Sequence, residues 1–324
     1  MHIVVLTTSY PRDDSDPSGH FVAAEVRLLA AAGHRVTVLC PGQPEPDSAV
    51  EQTPTVLRLG ASDLFGWPGV LARLRARPYL AVQVIPFLAT VWSTLRRLAP
   101  IDRVIAHWLL PCGFPAALAA RAPLEVVAHG SDVQLFRRLP RWARNGILRA
   151  LSSRRATLRF VSTELLNQLQ LELGSYPKIS VRVAACPVEV RGIPARTAAR
   201  ELLGIASSQR LAVIVGRLVR GKRVATALRS LDLVPGCHTT VIGDGPERLQ
   251  LERCFPRVCF TGDLPRPRAL AWMSAADLLV SASRSEGAPT VIREARALGT
   301  PVVACVVGDI ETWAATDPEL WTVR

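Results

Sequence analysis

The strongest constraint in this sequence is an alternation: a short β-branched run, a turn rich in small residues, then an apolar pattern at helical spacing. "HIVVLTT" (2–8) leads into the polar loop "SYPRDDSDPSGH". It is followed by "FVAAEVRLLAAAGH", whose apolar residues recur as on one helix face and whose Gly33 suits a C-cap. "RVTVLC" (35–40) reads as the next strand, and "TVLRL", "DRVIAH", "LEVVAH" and "TLRFVS" continue the series. These runs are apolar throughout rather than alternating, which predicts a parallel sheet covered by helices on both faces. A second series begins near residue 210 with "RLAVIVG", "HTTVIGDG", "RVCFTG", "ADLLVSAS" and "TPVVAC". The stretch "ISVRVAACPVEVRGIPARTAA" (179–199) separates the two series and sets domains at 1–188 and 189–324. The expected fold is therefore α/β, with two Rossmann-like doubly wound domains facing each other across a cleft. Ligands of such folds bind where strands end.

Composition narrows the function classes. The 324 residues are 49% hydrophobic, which excludes a disordered chain. Seven scattered cysteines without metal-ligand spacing point to a reducing compartment, mostly buried thiols and no zinc. The N-terminus lacks the basic and apolar regions of a signal peptide. The most membrane-like run, "LAVQVIPFLATVWSTL" (80–95), reads as too short and too interrupted to span. A cytoplasmic protein is expected, with attachment to the inner membrane face as a further option. The formal charge of +12 asks for an anionic partner. Only Lys178 and Lys222 are lysines among 39 basic residues. No zinc finger, aromatic RNA-binding signature or basic tail supports nucleic acid. Anionic lipid or a phosphorylated substrate fits better.

The residues that could carry chemistry follow predicted strands. "VGRLVRGKRV" places Arg217 and Lys222 in one loop, a fork and a point charge suited to a diphosphate. A plain surface charge is the alternative for Arg217. "VIGDGPE" offers Gly243 and Gly245 in a tight turn that could lie against a base, or simply join strand to helix, with a helix opening at Pro246. In "SASRSEGAPTVIREARALGTPVVA" (281–304), Pro289 suits a first helical position. The free amides of that helix end favour an anion. Glu286 lies on the loop before it and Glu294 roughly 7 Å along the axis. Two carboxylates flanking a phosphate-favouring helix end suit a sugar–diphosphate–ribose ligand. "VVAHGSDV" ends a strand with His129, Gly130 and Asp132; His107 in "IAHWLLPCG" reads as structural. The acidic loop "DDSD" (13–16) is a weak candidate for metal binding.

Taken in order, "TTSYPRDDSDPSGHFV", "AHWLLPCG", "VAHGSDV", "VGRLVRGKRV", "VIGDGPE" and "SEGAPTVIREARALGTPVVA" resemble the retaining glycosyltransferases of family 4, also called glycosyl transferases group 1. That family has the GT-B fold, and the resemblance runs from residue 3 to about 312. It implies an acceptor-side domain at 1–188 and a nucleotide-sugar domain at 189–324. Transfer would move a hexose from a nucleotide-diphosphate sugar to a glycan or lipid-linked acceptor, as in polysaccharide biosynthesis, without cofactor or metal. Arg217 and Lys222 would hold the diphosphate, Glu294 the ribose and Glu286 the transferred sugar. The backbone of Gly287, Ala288, Pro289 and Thr290 would cover sugar and phosphate. His129 would lie by the reacting centre and Gly19 would line the acceptor side. Three departures are visible: "AACPVEV" replaces the usual P-N-G-V-D, "VVGDIE" keeps one glycine of a usual pair, and the chain stops at Arg324, short of the family's closing helix. The last admits a non-catalytic binding or assembly subunit, and the fold by itself also admits a nucleotide-sugar epimerase.

For anionic lipid, "DLFGWPGVLARLRARPYL" (63–80) and "LFRRLPRWARNGILRALSSRRATLRF" (135–160) interleave arginine with Phe65, Trp67, Phe136 and Trp142.

Overall fold

A computed structural model describes the chain except residues 14–15, 17, 44–53, 61–62, 66–72, 75 and 99. The chain divides into two compact units, Met1–Pro11 with Ser18–Pro187, and Val188–Arg324 with the segment Arg12–Pro17.

In the first unit, β1 (His2–Leu6), α1 (His20–Ala31), β2 (Arg35–Cys40) and β3 (Thr55–Arg58) come first. Then follow α2 (Val84–Arg97), β4 (Arg103–His107), α3 (Phe114–Ala119), β5 (Leu124–Ala128), α4 (Ser131–Arg138), α5 (Arg141–Ser153) and β6 (Thr157–Phe160). Short helices α6 (Thr163–Asn167) and α7 (Gln170–Leu173) lead to β7 (Ser180–Val183). Among the described residues these strands form one sheet in the order β3-β2-β1-β4-β5-β6-β7, every pair parallel. The order reverses between β1 and β4, so the loops after these two strands flank the switch point. β1 and β5 are buried at every position, as the continuous apolar runs predict.

The second unit holds α8 (Arg196–Leu203), β8 (Arg210–Val215), α9 (Val224–Asp232), β9 (Cys237–Ile242), α10 (Arg248–Cys254), β10 (Cys259–Gly262) and α11 (Arg266–Ala275). It continues through β11 (Leu278–Ser281), α12 (Thr290–Ala297), β12 (Val302–Cys305), α13 (Ile310–Ala314) and β13 (Leu320–Val323). Its sheet runs β10-β9-β8-β11-β12-β13, again parallel, with the reversal between β8 and β11. Alternate residues of β8 feed two cores. Leu211 and Val213 join one with Met273 and Ile292; Ala212 and Ile214 join the other with Leu228 and Val241. A strand with period-two side chains buried on both sides is a sheet covered by two helix layers.

Several local expectations are corrected. The interruption at 179–199 contains a strand, β7, exposed at all four positions, so it lacks the buried run that marks the others. Helix α12 begins at Thr290, with Pro289 just outside it, and the helix expected at Pro246 opens at Arg248. No disulfide joins the seven cysteines, but only Cys40, Cys112 and Cys186 are buried, while Cys254 and Cys259 are exposed. Arg77 precedes a 3-10 turn, Pro78–Gln83, that joins α2 into one helical stretch. Pro78–Arg97 is long and apolar enough to cross a membrane by length and composition, longer than the run read in the sequence. Phe87, Val91 and Leu95 of this stretch are buried.

The first unit also buries charge. Arg159 on β6 donates to both oxygens of Glu25 on α1, at 2.6 and 2.7 Å, and its Nε lies 3.2 Å from Glu125 on β5. Glu125, 2% exposed, also pairs with Arg103 and Arg182. Burial alone would push the Glu125 carboxyl up, but Arg159, Arg182 and Arg103 together hold it below the usual range. Removing one partner from such a network strands the others. Glu125→Ala is therefore expected to cost about 3–5 kcal/mol in urea unfolding. The depressed pKa gives the sign with pH. The wild-type contribution is complete above the unfolded value of about 4.3 and is lost as pH falls from there through the lower folded pKa. The variant's deficit should shrink over that window.

Candidate functional site

In the second unit the loop after β8 is built on glycine. Gly216 (φ +146°) receives the Lys222 side chain over its Cα: a Cβ there would lie 3.8 Å from Lys222 Cε. The loop after β9 presses against it. A Cβ on Gly243 (φ +128°) would fall 2.2 Å from the Gly216 carbonyl oxygen, so only glycine fits. Leu218 N–H donates to the Asp244 carbonyl at 2.9 Å, and a Cβ on Gly245 would collide with Leu218. Arg217 is exposed and Lys222 half-buried on the β8 loop.

The loop after β11 is tied to the β8 loop at three points. Lys222 Nζ donates to Glu286 Oε1. Arg223 Nε donates to the Ala282 carbonyl at 2.6 Å, and Arg284 N–H to the Gly221 carbonyl at 2.8 Å. The single glycine of "VVGDIE" supports the same loop from the β12 side: Gly308 has φ +55°, and a Cβ there would meet the Gly287 carbonyl oxygen at 2.6 Å. Ala288 is half-buried and Pro289 buried before Thr290 opens α12. Glu294 is 6% exposed. Arg266, at the start of α11, donates one nitrogen to Glu294 Oε1 at 2.7 Å and to the Glu189 carbonyl at 2.6 Å.

In the first unit, Gly19 (φ +67°) caps α1, and a Cβ on it would fall 2.1 Å from the Ser9 carbonyl oxygen. The β4 and β5 loops are pinned by one buried carboxylate. Asp132 accepts the N–H groups of Leu109 (2.7 Å), His129 (3.0 Å) and Gly130 (2.9 Å). Burial pushes its pKa up against the pull of these amides. Trp108 adopts φ +71°, a left-handed conformation uncommon for a bulky residue. Its ring lies tilted at 4.8 Å from that of His129, and Phe21 lies 5.1 Å from the same imidazole. His129 Nε2 and His107 Nδ1 are 3.1 Å apart. Burial first and Arg159 second hold the His129 pKa down at about 3; His107 is also held well below its usual value. Both rings are neutral at pH 7.

Two parallel sheets with glycine-lined, charge-bearing loops at strand ends match known proteins. The profile described as Glycosyltransferase Family 4 covers residues 18–191, and that described as Glycosyl transferases group 1 covers 209–318. A putative teichuronic acid biosynthesis glycosyltransferase of Bacillus subtilis is 30% identical over 331 positions, covering 96% of this chain and 82% of that protein. The chain belongs to glycosyltransferase family 4. Among solved structures, sucrose-phosphate synthase of Thermosynechococcus elongatus superposes with TM-score 0.75 at 20% identity, over 100% of this chain and 86% of that one. Anabaena HepE in complex with UDP and glucose gives TM-score 0.66 at 20% identity, over 96% and 82%. This glycosyltransferase therefore has two Rossmann-like domains of the GT-B type.

Within this glycosyltransferase, Lys222 meets Glu286 directly, whereas Glu294 meets Arg266 instead. Glu286 and Glu294 flank the start of α12 as the sequence suggests. Of "DDSD", Asp14 and Ser15 lie outside the described residues; Asp13 and Asp16 are joined by a backbone hydrogen bond of 3.2 Å. Sequence reasoning missed Arg266, one arginine among many, and the pinning role of Asp132, whose three partners come from two loops. The sequence of "HGSD" did offer a signal for Asp132, a carboxylate in the first turn after a glycine.

Glycine at 308 is expected to matter through contact rather than φ alone. Gly204 is equally left-handed (φ +69°), but a Cβ there would meet nothing within 4 Å. Gly204→Ala should cost about 1–2 kcal/mol. Gly308→Ala should lower the melting temperature further and also perturb the amides of Gly287 and Ala288, whose peptide carbonyls it would strike, in NMR spectra.

Proposed function

We propose that this glycosyltransferase retains configuration and moves a hexose from a nucleotide-diphosphate sugar to a glycan or lipid-linked acceptor, without a metal ion. The observation that carries this reading is the Lys222–Glu286 pair beside exposed Arg217 on the β8 loop, with buried Glu294 eight residues further along. A cation already held by a carboxylate is poised to exchange that partner for a donor phosphate. Release of Lys222 would free Glu286 to accept hydrogen bonds from sugar hydroxyls. Arg217 and Lys222 would then stabilise the negative charge that grows on the diphosphate as the anomeric C–O bond breaks. The acceptor hydroxyl attacks the same face, and its proton passes to the departing phosphate oxygen. Glu294, steadied by Arg266, would accept the ribose hydroxyls. The backbone of Gly287, Ala288, Pro289 and Thr290 would cover sugar and phosphate, and the β9 loop, packed on the β8 loop through Gly243 and Gly245, would flank the base. Gly19 would line the acceptor side, and neutral His129 would lie beside the transferred sugar. HepE, which holds UDP and glucose, supports a uridine donor and a hexose. The Bacillus relative, named for teichuronic acid biosynthesis, supports a polysaccharide acceptor.

Attachment to an anionic membrane belongs to the same proposal, on altered residues. Phe65 and Phe136 are 2% and 0% exposed, and Arg159 is spent on buried carboxylates, so these cannot insert into lipid. Trp67 and Arg75 lie outside the described residues. The exposed groups are Trp142 on α5 and, along the Pro78–Arg97 stretch, Tyr79, Val82, Ile85 and Trp92. Arg96 sits over the Trp92 ring at 4.2 Å. Exposed apolar and aromatic groups next to arginine suit the headgroup region.

A thermal-shift series with UDP, GDP, ADP and dTDP in EDTA tests the donor site. One nucleotide at a hundred times its Kd should add about 2.7 kcal/mol of stability. Lys222→Ala and Glu294→Ala should each lower kcat/KM about 100-fold or more, and Asp13→Ala far less. Equal activity in all three would place the site elsewhere, and an inverted product anomer by NMR would overturn retention. For the membrane, Ile85→Glu with Trp92→Glu should abolish sedimentation with anionic vesicles at low salt while leaving nucleotide binding intact.

A further inference from the structure

The three strand ends of the first unit that carry His107, His129 and Cys186 bring soft donor atoms together. One nitrogen from each imidazole and the Cys186 sulfur all lie within 4.8 Å of one another. His107 Nδ1 and His129 Nε2, at 3.1 Å, are nearly as far apart as two imidazole ligands on one tetrahedral zinc ion, about 3.3 Å for bonds of about 2.0 Å. His107 and Cys186 are 0% and 4% exposed, while His129 is half-buried.

A hydrogen bond between the two rings leaves His107 incompletely satisfied. Its Nε2 is buried without a hydrogen-bond partner, and the nearest carboxylate oxygen, Glu25 Oε2, is 3.9 Å away. If Nδ1 carries the proton, a bare Nε2 lone pair faces a carboxylate. If Nε2 carries it, the N–H falls short of a bond. A cation on Nδ1 settles the tautomer: Nε2 must then hold the proton and face Glu25 Oε2 from 3.9 Å. A shift of roughly 1 Å would close the hydrogen bond of a carboxylate–histidine–metal arrangement.

We infer that His107, His129 and Cys186 bind a single thiophilic divalent cation of the zinc class. A thiolate and two imidazoles select zinc-like ions over magnesium or calcium. Moving Cys186 Sγ by about 1 Å brings all three donors to ligand distance. The thiol proton leaves to solvent on binding, so the ion and thiolate together add one positive charge. The Arg159 charge, which disfavours protonation of both imidazoles, is offset by Glu25 and Glu125, the carboxylates that pair with it. Cys186 lies in "AACPVEV", where this chain departs from its family's usual pattern. Occupancy locks the His129 ring toward His107, so zinc inhibits transfer. That consequence, unlike the site, rests on the role proposed above for His129.

Cobalt(II) titration of a Cys254→Ser, Cys259→Ser background, which removes the two exposed thiols, reads the site directly. One equivalent should give tetrahedral visible bands and a thiolate-to-cobalt charge-transfer band. Adding Cys186→Ser, or Cys186→Ala should the first fail to fold, should abolish the charge-transfer band. It should weaken zinc about a hundredfold or more in chelator competition. Nucleoside diphosphate binding should not change. No tetrahedral spectrum in the background protein, or an unchanged one in the Cys186 variants, overturns the site. Failure of every nucleotide to bind would instead remove the donor reading and leave the cobalt result standing.

Discussion

Strand direction is the constraint on which the rest depends. Every described strand pair in both sheets is parallel, so within each unit all strands end on one edge. Chemistry can then be assembled from residues far apart in sequence without any side chain crossing the sheet. His107 ends β4 and His129 follows β5, and these strands pair in register from Val104–Leu124 to His107–Val127. Gly216 and the Ala282–Glu286 loop follow β8 and β11, which are neighbours across the reversal of strand order. Parallel sheets also demand cover on both faces. The β8 residues Leu211 to Ile214 are therefore divided between two cores, and polar groups can gather only at the strand ends or in paired networks.

Those networks use arginine where most chains would use either base. Arg200 shows the reason: its guanidinium, 5% exposed, donates to the carbonyls of Ala275, Ala206, Ser207 and Gln209 and to Asp277. A rigid planar fork serves five acceptors at once, and a lysine ammonium has only three donors. The same geometry lets Arg159 join α1 to β6 and Arg266 join Glu294 to the Glu189 carbonyl. Lys222 stands apart. A compact charge on a flexible stem can trade Glu286 for another anion at little cost, as a bidentate arginine could not.

Legibility in the sequence follows burial. Strands with continuous apolar runs, such as "HIVVL" and "LEVVA", are legible because both faces are covered. The edge strand β7 is not, since its four residues are exposed and carry no burial pattern. The paired glutamates and the loop glycines are legible because spacing alone positions them at a helix start and a strand end. Partners are not legible. Nothing in the chain predicts that Glu294 meets Arg266, or that Asp132 gathers amides from two loops. The sequence misplaces Phe65 and Phe136 because both lie in segments that also carry arginines: an amphipathic segment shows that one face is apolar but not which way it points. The His107, His129 and Cys186 cluster has no spacing signature, being assembled from three separate strand ends.

His129 is where these lines meet, and its surroundings limit what it can do. Trp108 and Phe21 fix the ring, Asp132 fixes its backbone, and burial with Arg159 keeps it neutral. A group held so far below its usual pKa is a poor reservoir for protons at neutral pH. It can still accept or donate one hydrogen bond through the nitrogen that His107 does not occupy, and it can ligate a cation through the other. A retaining transfer in which the departing phosphate takes the acceptor proton asks no more of it than the first. On the function proposed above, the positive charge for such a reaction would come from Arg217 and Lys222, whose loop packs tightly on the β9 loop because Gly243 and Gly245 carry no side chain.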